Sequence, residues 1–204
     1  MRFDLHVHTT FSACSQLTLG QIGEHARARG LDGVCITDHD TMAAGEVLRE
    51  GRQANGLCVI FGMEYATSEG DFLLFGPFEN LAPGLPAPEL LREVQEAGGV
   101  AIAAHPCRTA RPTNQQLIAD GHCALVEGVN GRNHAHENQR VNRWQDLYAI
   151  RPVGGSDAHC LAELGRVTTR FHTPIHDRSD LIAALKAGAF SPVLDNTATA
   201  AVAA

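Results

Sequence analysis

Short apolar runs of β-type composition alternate with amphipathic helical stretches along nearly the whole chain, and this alternation constrains the fold more than any other feature. The β-type runs cover residues 2–7, 33–37, 57–62, 72–76, 100–104, 124–129, 151–154 and 190–194. Helical spacing fills 19–29, 42–54, 88–97, 113–119, 136–148 and 178–187. Gly30, Gly56, Gly98 and Gly188 stand where a left-handed helix end is wanted, and Thr113 and Ser179 are the expected N-caps. Successive parallel strands need a crossover helix, so this order predicts a mostly parallel sheet, closed as a barrel or open and doubly wound. A chain of 204 residues suits one sizeable core, so a single domain is expected over 1–194, with the aperiodic 195–204 as a frayed tail.

Histidine is unusually abundant, 11 residues against 2 Tyr and 1 Trp, and its positions follow the strand pattern. His6 and His8 close the first run, His39 follows the second, Glu64 the third, His105 the fifth, and Asp157 with His159 the seventh. In a parallel α/β architecture the carboxyl ends of the strands converge on one face, so residues 150 apart can share a pocket. His6 and His8 are two apart on a strand and point to one side, as do Asp157 and His159 if strand geometry persists. Imidazoles mixed with carboxylates suit zinc, manganese or iron, whereas an all-oxygen set suits magnesium or calcium. A lone buried histidine is more often a hydrogen-bonded core residue than a ligand, but repeated coincidence at strand ends favours ligation for His6, His8, His39, His105 and His159. His25, His122, His172 and His176 fall among polar neighbours and read as solvated. His134 and His136 follow the sixth run, where a substrate role and an ordinary first-turn helix position explain them equally well.

Charge and composition narrow the partners. A net charge of -7 with only 16 Lys and Arg offers no basic track for extended nucleic acid, and 5% aromatic residues supply few stacking platforms. No apolar run approaches the roughly 18 residues of a membrane span. Six cysteines without a CxxC pair are most simply reduced thiols, so a cytoplasmic location without a membrane partner is expected. Oligomeric state is not readable.

Taken in order, AspLeuHisValHisThr at 4–9, IleThrAspHisAsp at 36–40, the isolated Glu64, AlaHisPro at 104–106 and GlyGlySerAspAlaHis at 154–159 resemble the motifs of the PHP (polymerase and histidinol phosphatase) superfamily. LeuGlyArgValThrThrArgPhe at 164–171 is similar to a segment that follows the last motif in small bacterial members. The resemblance implies a distorted seven-stranded (β/α) TIM-like barrel that hydrolyses phosphate esters at a centre of two or three divalent ions. It also implies that His6, His8, Glu64 and Asp157 form one metal site, that Glu64 bridges to a second with His105, and that His39 and His159 belong to a third. Glu64, Asp157 and His159 are then the expected catalytic residues.

The chain departs from the family pattern in two places. Many relatives carry His or Asp shortly after the HisXHis pair; here PheSerAlaCysSer makes Cys14 the nearest third-site ligand, with a small loop residue and two metals as the alternative. Asp71 stands where relatives often place His, and either completes the second site or caps a turn. Arg108 and Arg132 are placed to clamp a phosphate oxygen bidentately, and Asp38 and Asp40 to orient ligating imidazoles. The expected activity is hydrolysis of a small-molecule or nucleotide phosphomonoester or phosphodiester by metal-activated water. A nuclease acting on oligonucleotides and a non-catalytic metal-holding domain are the competing readings.

Overall fold

A computed structural model describes residues 1–194, and the expected tail at 195–204 lies outside the described residues. In chain order the elements are β1 (Arg2–Val7), α1 (Leu19–His25), β2 (Gly33–Ile36), α2 (Ala44–Val47), β3 (Gly51–Arg52), β4 (Cys58–Phe61), β5 (Met63–Thr67) and β6 (Gly70–Phe75). They continue with α3 (Ala87–Glu96), β7 (Val100–Ala103), α4 (Gln115–Ala119), β8 (Leu125–Asn130), α5 (Ala135–Leu147), β9 (Arg151–Gly155), β10 (Val167–Phe171), α6 (Arg178–Ala187) and β11 (Phe190–Leu194). Among the described residues no helix is long and apolar enough to cross a membrane.

The strands form two mixed sheets, ordered β11-β10-β1-β2-β4-β3 and β5-β6-β7-β8-β9. This corrects the expectation of a closed seven-stranded (β/α) barrel. Among the described residues the parallel ladders are β1–β2, β2–β4, β7–β8 and β8–β9. β5 and β6 are joined by a tight turn, too short for a crossover, so they form an antiparallel hairpin. β10 then inserts antiparallel between β1 and β11. The two sheets touch through isolated parallel bridges, Val7 with Ala158 and His39 with Glu64, rather than through continuous ladders.

Strand residues alternate between two apolar clusters, because neighbours along a strand point to opposite sides. Cys35, Ile60, Leu73, Phe75, Ile102 and Val153 join Leu181 and Leu185 of α6 in a cluster that draws on both sheets. Val34, Ile36, Val59, Phe72, Leu74 and Val126 belong to the second cluster, with Ile22, Leu90 and Val141 of the helices. β1 changes parity: Phe3 and Leu5 belong to the first cluster but Val7 to the second. The change coincides with the register shift between Asp4 and Val7 against β2, and it turns the flanking His6 and His8 away from Val7.

Helix ends follow local chemistry. Asn114 and Asp177 cap α4 and α6 by accepting the backbone N–H of Gln116 and Asp180, in place of the expected Thr113 and Ser179. Gly188 ends α6 at φ 75. The helix expected over 42–54 is confined to α2, after which Leu48 turns extended and the chain pairs with β4 as β3.

Asp4 ties β1 to the far end of the chain, accepting the backbone N–H of Ser156 and Gly165, each at 2.9 Å. Burial pushes its carboxyl up to about 6, against the lowering effect of these hydrogen bonds. A folded pKa above the unfolded value means the folded state holds the extra proton. The contribution is therefore complete below about 4 and lost as pH rises through about 6. From these values Asp4→Asn is expected to remove about 3 kcal/mol of the stability decline between pH 4 and 7, read by urea unfolding of metal-free protein at each pH.

Candidate metal centre

Side chains of types that can ligate a metal meet, from distant segments, where the two sheets touch. β1 and its end deliver His6 and His8, and the turn after β2 delivers His39. The β5–β6 hairpin delivers Glu64 and Asp71, and the turns after β7 and β9 deliver His105, Asp157 and His159. They form three donor groups with atoms within 4.8 Å of one another: His6, His8 and Asp157; Glu64, Asp71 and His105; His8, His39 and His159.

Glu64 links all three. Its Oε1 lies 2.8 Å from His105 Nε2, while Oε2 lies 3.3, 3.1 and 3.1 Å from His6 Nε2, His8 Nε2 and His39 Nδ1. Asp157 Oδ1 lies 3.5 and 3.4 Å from the Nε2 atoms of His6 and His8, which are themselves 3.0 Å apart. Burial alone would keep Glu64 protonated, yet charge on His6 and hydrogen bonds from His105, His39 and His6 hold its carboxyl well below the usual range. Asp157 is lowered in the same way against its burial, chiefly by His6 and His8. Burial favours neutral His6, but Glu127, Asp157 and Glu64 outweigh it and raise its pKa well above the ordinary value. Burial and the charge of His8 lower His159.

The donor set fits divalent transition metals. His6 Nδ1 lies 2.9 Å from Glu127 Oε1 and donates to it, so when a cation displaces the second imidazole proton, Nε2 is the nitrogen left with a lone pair to ligate. His6 Nε2, His8 Nε2, Glu64 Oε2 and Asp157 Oδ1 converge, and the protons that the two carboxylates draw onto the imidazoles occupy the place that a cation would take. In the second group, Asp71 Oδ1 and His105 Nδ1 are buried without a hydrogen-bond partner.

Glu127 was missed by the sequence reading. It is fully buried, and besides His6 it accepts the His105 backbone N–H at 2.7 Å and Asn130 Nδ2 at 2.8 Å. A carboxylate inside the otherwise apolar LeuValGluGlyVal run was the available signal. Gly155 makes room for it: a Cβ there would come within 2.5 Å of Glu127 Oε1 and 2.6 Å of His6 Cβ. Asp38 acts one step removed from the imidazoles, accepting Ser12 Oγ–H at 2.6 Å, with Ser12 Oγ 3.3 Å from His8 Nδ1. Asp40 instead accepts the Ala66 N–H at 2.8 Å. Three non-glycine residues here are left-handed: Asp40 at φ 51, His105 at φ 32 and Asp157 at φ 55.

A cleft of about 420 Å³ opens onto the centre, lined by Glu64, His105, Asp157 and their neighbours together with Arg108, Arg111 and Arg132. Arg108 is fixed by Asp157 Oδ2 at 2.7 Å, Asn133 Oδ1 at 2.9 Å and Asn130 Oδ1 at 3.0 Å. Arg132 is looser, 3.8 Å from Glu163. His134 is exposed at the start of α5, stacked on His136 and outside the residues lining the cleft. Cys14 is exposed and joins none of the three donor groups; its thiol is raised by partial burial. A larger cleft of about 490 Å³ beside α1 is mainly apolar and holds none of these donors.

A family model described as PHP-associated matches residues 135–190. An uncharacterized protein of Methanocaldococcus jannaschii is 30% identical over 116 residues, 52% of this chain and 68% of that protein. The chain belongs to the PHP superfamily. Phosphoribosyl 1,2-cyclic phosphate 1,2-diphosphodiesterase of Eggerthella lenta is 41% identical over 61 residues, 30% of this PHP chain and 23% of that enzyme. PsfC from Pseudomonas syringae shares the PHP chain's fold with a TM-score of 0.78 and 22% identity, covering 98% of this chain and 94% of that one. A two-domain protein from Bacteroides vulgatus carrying a predicted PHP-like metal-dependent phosphoesterase gives 0.70 at 17% identity, covering 95% and 64%. The lesion-specific endonuclease EndoQ from Pyrococcus furiosus gives 0.66 at 18% identity, covering 94% and 58%.

Proposed function

We propose that this protein is a metal-dependent phosphoesterase that hydrolyses phosphomonoester or phosphodiester bonds of a small molecule or nucleotide. The observation that carries this reading is Glu64, whose two oxygens face different donor groups and so can hold two cations side by side. His6, His8 and Asp157 would hold one ion; Glu64, Asp71 and His105 would hold the second; His39 and His159, with His8, offer a third position. Cys14 is left out of the set. Zinc, manganese and iron all suit these donors. When bound, the ions supply Lewis acidity toward phosphoryl oxygens and make water nucleophilic near neutral pH.

The chain's own groups do the rest. Arg108 is locked beside Asp157 with its guanidinium lining the cleft, placed to orient a phosphoryl oxygen. Arg132 stands ready as a second contact. Glu127 and Ser12 keep His6 and His8 in their orientations. His159 Nδ1 lies 2.9 Å from the Asp157 carbonyl and donates to it, so Nε2 keeps a lone pair for an ion or for a proton moving at the leaving oxygen.

The test is hydrolysis of 4-nitrophenyl phosphate and bis(4-nitrophenyl) phosphate by protein loaded with each metal in turn. No release from either by any loaded form sinks the reading. Arg108→Ala is expected to lower kcat/KM by about tenfold to a hundredfold, mostly through KM, while metal content holds. The likeness to EndoQ is the observation that favours a nuclease, against the net charge of -7. A labelled oligonucleotide run beside a mononucleotide separates the two.

A further inference from the structure

Arg111 lies outside the ligand motifs, and its setting gives it a task. Its Nε donates to Asp71 Oδ2 and one terminal nitrogen donates to the Thr67 carbonyl at 3.3 Å. The Asp71 side chain is only 6% exposed, whereas that of Arg111 is 50% exposed and lines the cleft. The Asp71 oxygen that lies 3.9 Å from His105 Nε2, Oδ2, is therefore the one covered by the guanidinium, and the other, Oδ1, is buried without a partner. Arg111 and Arg108 come from one loop after β7, and each covers a single oxygen of an aspartate in a different donor group.

The groups are unequal. In the first group His6 and His8 have Glu64 Oε2 within 3.3 Å as a further donor beside Asp157, while in the second His105 has only Glu64 Oε1. In the poorer group Arg111 also offsets one of the two carboxylate charges and repels a dication directly.

We infer that Arg111 weakens the hold of the Glu64, Asp71 and His105 group on its cation, keeping that ion exchangeable while the ion at His6, His8 and Asp157 stays tightly bound. This rests on the metal-dependent reading above and concerns ion affinity alone. Two effects of the guanidinium oppose each other. Fixing Asp71 favours binding, and loss of such outer partners commonly costs tenfold to a hundredfold in affinity. Charge repulsion disfavours binding, and although half-exposure screens it, a dication a few ångströms away doubles it. Asp71 is buried and its backbone is pinned in the β5–β6 pairing, which limits how far the carboxylate can turn once Arg111 is gone, so repulsion dominates.

The experiment is calorimetric titration of zinc alone into chelator-stripped protein, with elemental analysis of the product. Wild type is expected to bind a tight and a weaker equivalent. Arg111→Met and Arg111→Gln are each expected to tighten the weaker equivalent about tenfold and leave the tight one unmoved. Arg111→Lys, which returns the charge, is expected to restore the wild-type difference. Asp71→Asn is expected to lose the weaker equivalent, and Arg111→Met on that background to change nothing. Unchanged or weakened binding in both neutral variants overturns the inference, as does a Lys variant that behaves like Met. Far-ultraviolet circular dichroism reports folding of each variant, and the Gln and Lys forms decide the matter if Met fails to fold. Hydrolysis is not needed, so a protein that binds zinc as described but releases no phosphate sinks only the phosphoesterase reading.

Discussion

Stripping the divalent ions is expected to abolish phosphate release and to lower Tm by roughly 10 °C, both reversed by adding metal back. The activity loss follows from the chemistry the side chains lack. Among the described residues no Lys or Arg pairs with either Glu64 oxygen or with Asp157 Oδ1, which face only imidazoles, so nothing else in the cleft offers comparable Lewis acidity. The stability loss follows from mass action: metal at about a thousandfold above its Kd contributes about 4 kcal/mol, and about 2–4 °C per kcal/mol applies to a chain of this size. Differential scanning fluorimetry with a chelator, parallel to a 4-nitrophenyl phosphate assay, reads both. Full activity in protein shown by elemental analysis to be metal-free overturns the mechanism.

Glu64→Gln is expected to cost at least about a thousandfold in kcat/KM while leaving the far-ultraviolet circular dichroism in place. The amide keeps the shape and one oxygen, but it removes the charge that faces two groups at once. Metal content should fall at both groups. Asp157→Asn touches one group only, and its loss should concentrate on the His6 and His8 ion. A Gln variant that retains both equivalents and turns over normally would remove Glu64 from the centre of the argument.

Part of this was legible from residue order. The Arg2–Val7 and Phe190–Leu194 strands and the Arg178–Ala187 helix occur where periodicity puts them. The donors His6, His39, Glu64, His105 and Asp157 meet at strand ends as the motifs imply. What periodicity does not carry is pairing partner and direction. Met63–Thr67 falls outside every β-type run read from the sequence, yet it is a strand paired back on Gly70–Phe75 as a hairpin, because the turn at 68–69 admits no crossover. Val167–Phe171 is not among the β-type runs, and its place between β1 and β11 goes with long-range ties such as Asp4 to Ser156 and Gly165, which periodicity does not carry. Glu127 and Arg111 act through distant partners, and neither lies in a recognisable motif.

The left-handed backbone at Asp40, His105 and Asp157 has an evolutionary corollary. Glycine would sit more comfortably at all three positions, each relieved of a penalty of order 1 kcal/mol. A descendant could take that relief at 40, which lies outside the three donor groups, but at 105 and 157 the same change discards a ligand and with it the larger stabilisation by metal, so the strain there endures only while a bound ion offsets it.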